Sequence, residues 1–367
     1  MYINYKYKND KNQHNYQYNQ RLPSKESVWK GVFFMSKVLQ DYTHQGKPRK
    51  WGVRKAQSRA YASRLYEMAN AYGSPTMKKF AGRVWSCGDK LLFGKSHNGE
   101  NILIGAQFCH DRFCALCQWR RMLKMSYQMI KTIQQALVEN PSGRFLFITL
   151  TVKNCEGDNL KSTVSEINRA IRKLFMRKDI KKNLLGYIKA IEVTVNSDEE
   201  TYHPHAHILV MVKSTYFKNS DNYLTHAKWQ AMWQKAMKID YEPMISVEAI
   251  KNRGNKDSLN ASVSEVAKYQ TKATQYLSTD RDADLRVIDT LRNQLSGNRM
   301  LSYNGILKII HSRLFKREDE QTEDLVTIAG NEHLDVTAGM IVAEWNSHFQ
   351  NYVITETGKE LPIGRKD

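Results

Sequence analysis

A chain of 367 residues with 41% hydrophobic content is long enough for a sizeable core and more than one domain. Its 56 Lys and Arg against 37 Asp and Glu leave a formal charge of +19, an excess that favours polyanionic partners, nucleic acid above all. With no long apolar run and no apolar core near the N-terminus, the sequence argues against a membrane span or a signal peptide and predicts a cytoplasmic protein.

Residues 1–25 are dominated by Asn, Tyr, Lys and Gln with almost no aliphatic side chains, and read as a disordered polar tail. Residues 26–140 form a basic helical region, with a helix expected over 51–71. Four of the five cysteines crowd into it. Cys114-Ala115-Leu116-Cys117 is a C-x-x-C knuckle, and Cys87 and Cys109 complete a four-thiolate set suited to structural Zn²⁺, with His110 as an alternative ligand. C-x-x-C alone also suits a redox pair; the two further cysteines favour metal. Cys155, isolated, reads as an ordinary thiol. An amphipathic helix follows to about Leu137, stopped by Pro141 and Gly143.

From 141 to 280 strands and helices mix. Residues 145–152 read as a buried strand, and Leu160, Val164, Ile167, Ile171 and Leu174 recur at helical spacing. Residues 186–195 and 202–212 read as two strands joined by a polar turn, a hairpin. Trp229, Met232, Trp233 and Ala236 mark a helix, 244–250 a strand, and 263–277 a further helix. This order matches a split βαβ, ferredoxin-like plan: α+β, an antiparallel sheet with helices on one face. Residues 281–367, helical to Phe315 and then acidic and mixed, form a C-terminal DNA-binding or accessory region.

Chemistry concentrates in two places. In Tyr202-His203-Pro204-His205-Ala206-His207 the histidines alternate, so in a strand all three share one face. Glu192, between Ile191 and Val193 on the neighbouring strand, is costly in a core unless ionic or coordinated. Two imidazoles and a carboxylate leave coordination positions open for substrate oxygens and suit Mn²⁺ or Mg²⁺, with zinc also compatible. In the helix expected over 263–277, Glu265, Tyr269, Lys272 and Tyr276 fall at i, i+4, i+7 and i+11, one polar stripe. A tyrosine oxygen can attack a phosphodiester and keep the phosphate as a covalent ester, a carboxylate can activate water, and Lys268 or Lys272 can hold a phosphate oxygen. Exposed aromatics such as Trp119 are candidates for stacking on bases.

Taken together these residues resemble the HUH endonucleases, specifically the single-tyrosine branch of rolling-circle replication initiators (Rep) from small plasmids of Gram-positive bacteria. Phe147-Ile148-Thr149-Leu150-Thr151 resembles the first motif, His203-Pro204-His205-Ala206-His207 the histidine–hydrophobic–histidine motif, and 265–276 the tyrosine motif, in the same order. Residues 112–121, Glu192-Val193-Thr194-Val195-Asn196 and Arg299-Met300-Leu301-Ser302-Tyr303-Asn304-Gly305 are similar to further signatures. The resemblance implies that His205, His207 and Glu192 bind the divalent metal. It implies that Tyr269 nicks one origin strand, leaving a 5′-phosphotyrosine link and a free 3′-OH primer, and that Glu265 lets the cycle end by hydrolysis or strand transfer. Tyr276 is a second tyrosine, a packing residue or a DNA contact, and His203 stands outside the two-histidine core. The implied partners are plasmid origin DNA, duplex and single-stranded, with host helicase, DNA polymerase and a homodimer as further candidates. The competing readings are an HUH relaxase or transposase and a non-catalytic zinc-containing nucleic-acid-binding protein.

Overall fold

In the computed structural model, residues 38–43, 46–96, 99–196, 198–218, 221–250, 263, 266, 272–315, 324–328 and 336–358 are described. The polar tail expected over 1–25 lies outside them, as do Glu265, Lys268 and Tyr269. Helix α1 (Trp51–Ala71) has the bounds expected from sequence and buries Tyr61, Leu65 and Met68. Helix α2 (Pro75–Trp85) starts on Ser74, whose side chain accepts from the Met77 N–H, with Pro75 where no helical N–H is needed.

Strands β1 (Lys90–Ser96) and β2 (Asn101–Ala106) form a hairpin within the stretch read as helical. Helix α3 (Ala115–Glu139) follows, then β3 (Arg144–Thr151), α4 (Leu160–Phe175), the one-turn α5 (Lys178–Lys181), β4 (Leu184–Asn196) and β5 (Thr201–Val212). After α6 (His226–Met237) and β6 (Ile245–Ile250) come α7 (Arg281–Gln294), β7 (Leu301–Asn304), α8 (Gly305–Phe315), β8 (Val336–Asn346) and β9 (Asn351–Gly358).

Two antiparallel sheets result. The larger has the order β6-β3-β5-β4-β7, with the expected β4–β5 hairpin at its centre. Leu146, Ile148 and Leu150 of β3, Ile208 and Val210 of β5, and Ile191 and Val193 of β4 fill one face beneath Val164, Ile167 and Ile171 of α4 and Trp229 and Trp233 of α6. That is the split βαβ arrangement, with α4 and α6 on this face. The opposite face, carrying Phe145, Ile188, Leu209 and Met211, is roofed in part by Met129 and Ile133 of α3 and Leu307 and Ile310 of α8. These roofing helices come from the flanking regions, and the face they cover also carries His205 and His207.

The smaller sheet, β2-β1-β8-β9, was not legible in the sequence. Leu91 pairs with Ala343 and Phe93 with Ile341, so strands from the N-terminal and C-terminal regions close one sheet. The boundaries drawn at 140 and 280 cut across it, and the described residues from Val38 onward group as one compact unit.

The helix expected over 263–277 does not run to its end. Val263 and Val266 are helical and buried, but Lys272 has extended backbone (φ −72°, ψ 148°) and leads into a short 3₁₀ turn, Ala273–Gln275. Tyr276 therefore leaves the stripe proposed for residues 265–276. Its ring, 2% exposed, packs edge-on to Tyr61 and Phe113, and its hydroxyl donates to the Phe113 carbonyl. Burial of that ring in the core overrides the helical pattern, and Tyr276 is a packing residue.

Candidate metal centres

The central hairpin places Glu192 of β4 directly opposite His205 of β5, with His207 two residues on along the same face. His207 Nε2 lies 3.3 Å and His205 Nε2 3.7 Å from Glu192 Oε2. The ligand atoms of the three all fall within 4.8 Å of one another, a donor set that suits a divalent cation. The rings are held from behind. His205 Nδ1 lies 3.2 Å from the His203 carbonyl oxygen, which can only accept, and this contact turns the ring so that Nε2 faces Glu192. His207 Nδ1 lies 3.2 Å from Thr149 Oγ1, and Phe147 stacks on the His207 ring at 5.8 Å between centroids.

Thr149 was missed by sequence reasoning as a site residue, although it stood inside a quoted motif; the signal was its position opposite His207 on β3. His203 stays outside the group, its Nδ1 engaged with Asn154 Oδ1 at 3.0 Å.

Glu192 is 9% and His207 8% exposed. Burial alone would raise the Glu192 carboxyl. The imidazoles that bond it, with the charges of His205 and Lys272, outweigh burial and hold it well below the usual carboxylate range. Lys272 Nζ lies 3.7 Å from Glu192 Oε1, so one residue of the tyrosine segment stands against this cluster. Glu265 and Tyr269, expected beside it, fall outside the described residues.

The second group is built by loops and one helix start. Cys87 follows α2, Cys109 precedes α3, Cys114 is the residue before its first turn and Cys117 lies in that turn. Sulfur separations are 3.5 Å for Cys87–Cys117, 3.6 Å for Cys109–Cys117 and 3.6 Å for Cys87–Cys114. Cys87 Sγ also accepts the Cys109 backbone N–H at 3.3 Å. Lys55, fully buried in α1, ties down the Cys87 loop by donating to the carbonyls of Trp85 and Cys87 at 2.7 Å each. Ser58 Oγ lies 3.2 Å from Cys114 Sγ and accepts the Leu116 N–H.

Burial would raise the Cys114 thiol. The sulfurs of Cys109, Cys117 and Cys87 and the Ser58 hydroxyl, bonding to it, hold it well below the usual thiol range, while Cys109 and Cys114 push Cys87 and Cys117 up. Four sulfurs within 4.8 Å of one another, three of them buried, form a donor set that fits a cation able to stabilise them as thiolates. His110, weighed as a ligand, is not part of the group. Trp119, expected to be exposed for base stacking, is buried edge-on against Trp51 at 4.6 Å, because its helix is packed on α1.

Comparison with known proteins gives the chain a family. A family model described as replication protein matches residues 100–353, a span that holds both centres except Cys87. The chain belongs to the Rep family of replication proteins. A "Protein rep" of Lactiplantibacillus plantarum is 42% identical over 327 residues, 87% of this chain and 100% of the relative. Similar proteins of the same name in Lentilactobacillus hilgardii and Streptococcus pneumoniae are 40% and 38% identical, over 87% and 88% of this chain and 99% and 97% of theirs. The motifs that resembled plasmid replication initiators thus belong to one, and plasmid replication initiation is the coarse function. No solved structure matches this Rep chain significantly. Among its described residues no helix is long and apolar enough to cross a membrane.

Proposed function

We propose that this Rep protein opens rolling-circle replication as a metal-dependent nicking and joining enzyme at its plasmid origin, on an HUH-type nuclease fold. The observation that carries the reading is the convergence of Glu192, His205 and His207 on one sheet face, with Lys272 against Glu192. Tyr269 stands three residues before Lys272 in the chain, a span of at most roughly 10 Å, and that tether supports it as the nucleophile.

Glu192 and the Nε2 atoms of His205 and His207 would hold Mn²⁺ or Mg²⁺, whose chemistry there is charge neutralisation of phosphate oxygens. The Tyr269 oxygen attacks the scissile phosphorus and loses its proton. The bond from phosphorus to the 3′ oxygen breaks, that oxygen takes a proton, and a 5′-phosphotyrosine and a 3′-OH primer remain. Lys272, released from Glu192, binds a phosphate oxygen. Glu265 activates water, or a returning 3′-OH attacks the phosphotyrosine, to end the cycle. Cys87, Cys109, Cys114 and Cys117 hold a structural Zn²⁺. Origin duplex and single strand are the substrates; host helicase and DNA polymerase act on the product strand, and a homodimer is compatible with paired origin arms.

The test is incubation with an end-labelled single strand of its own origin and Mn²⁺ or Mg²⁺, resolved on a denaturing gel. The reading expects a metal-dependent cut whose downstream fragment carries the protein, lost in Tyr269→Phe with DNA binding retained. Firm DNA binding without cleavage in either metal would leave a binding protein instead.

A further inference from the structure

The stretch Arg299-Met300-Leu301-Ser302-Tyr303-Asn304-Gly305 takes no part in either metal centre. Its strand β7 lies along β4 at the sheet edge, with Ser302 opposite Lys189. Gly305 closes it at φ +59°, where an added Cβ would stand 2.3 Å from the Leu185 carbonyl oxygen, so both the left-handed backbone and the close approach demand glycine. Arg299, exposed, stands at the head of the strand.

Lys189 points to the α4 side of the sheet, with Tyr187, Ile191 and Val193, and away from Glu192 and the histidines. It is 6% exposed, and its ammonium donates to Asn168 Oδ1 of α4. One amide oxygen satisfies one of three N–H donors. Arg172, one helical turn beyond Asn168, and Arg299 both act on Lys189 with charge of its own sign, and among the described residues none of the three has a carboxylate partner. Burial, and after it the two guanidiniums, push the ammonium down to about 8. A buried ammonium flanked by two cations is costly unless an anion joins it.

We infer that Lys189, Arg172 and Arg299 form a phosphate-binding site on the sheet face opposite the metal ligands, and that its ligand is a backbone phosphate of the DNA. This rests on the reading that the chain acts on origin DNA. The site is deep only at Lys189, and the exposed guanidiniums at its rim leave it open to a polymer rather than enclosing a small molecule. Lys189 precedes Glu192 by three residues, roughly 10 Å along β4, so one strand passing round the β7 edge meets both faces.

The experiment measures affinity of the full chain for a labelled oligothymidine against salt concentration, for the parent and for Arg172→Gln, Arg299→Gln and Lys189→Met. Each exchange is expected to lower the slope of log K on log salt by about 0.7, roughly fivefold in affinity at 0.1 M salt. Lys189→Met, without DNA, is expected to melt no lower than the parent, since it removes a costly buried charge. Unchanged slopes in all three variants would overturn the inference. So would unchanged slopes together with millimolar inorganic phosphate raising the melting temperature of the parent but not of Lys189→Met, which would make the ligand free phosphate. Cleavage of an origin strand, read on the same parent protein, keeps the two readings apart: cutting with unchanged slopes removes this site and leaves the nuclease, and falling slopes without cutting do the reverse.

Discussion

The two metal-ligating groups are built on opposite plans. The cysteine set draws four sulfurs from two loops and a helix start, three of them buried in the core, and supplies the number of donors a tetrahedral shell would need. The Glu192, His205 and His207 set draws three ligands from two neighbouring strands, in register, and among the described residues stops short of a full shell. A closed shell suits a staple; an incomplete one, on a rigid ladder, suits chemistry on an incoming oxygen. On this view the first group should govern stability and the second turnover.

The sharpest way to break that contrast is Cys114→Ser, which removes the sulfur that the other three and Ser58 converge on. It is expected to cost about 5 kcal/mol, roughly 10 °C in melting temperature, with bound zinc lost in a metal assay; an unshifted melt would end the staple reading. Next comes His207→Ala. Strand cleavage should fall more than about a hundredfold while the melting temperature stays near that of the parent, a pattern opposite to the cysteine variant. Thr149→Val is subtler. It removes the hydroxyl behind His207 Nδ1 and should weaken Mn²⁺ affinity about tenfold in a titration, with cleavage restored at high metal. The smallest effect is expected from Tyr276→Phe, which loses one buried hydrogen bond to Phe113. About 1 kcal/mol of stability should go with no change in cleavage, placing Tyr276 with the packing around the cysteines and apart from the nucleophile.

What could be read from sequence was what has a local cause. The alternation of His203, His205 and His207 marked both a strand and its face, and Glu192 betrayed itself as a carboxylate in an apolar run. Helix α1 was legible to its ends as a basic, helix-prone run with a few apolar anchors. The sheet β2-β1-β8-β9 was not, since the partner of Leu91 is Ala343 and no local pattern encodes so distant a pairing. Nor was the break at Lys272: the stripe through residues 265–276 kept helical spacing, and only the burial of Tyr276 beside Tyr61 and Phe113 overrides it. Thr149 escaped notice because threonine is ordinary in a strand and its task depends on the residue across the ladder.

That distant pairing sets a clock on the ribosome. Strand β1 must wait for β8, about 240 residues later, before its second edge is covered. At ~5–20 residues per second this leaves it open for roughly 12 to 50 s, a window in which a nascent initiator offers a bare strand edge to chaperones and to other copies of itself.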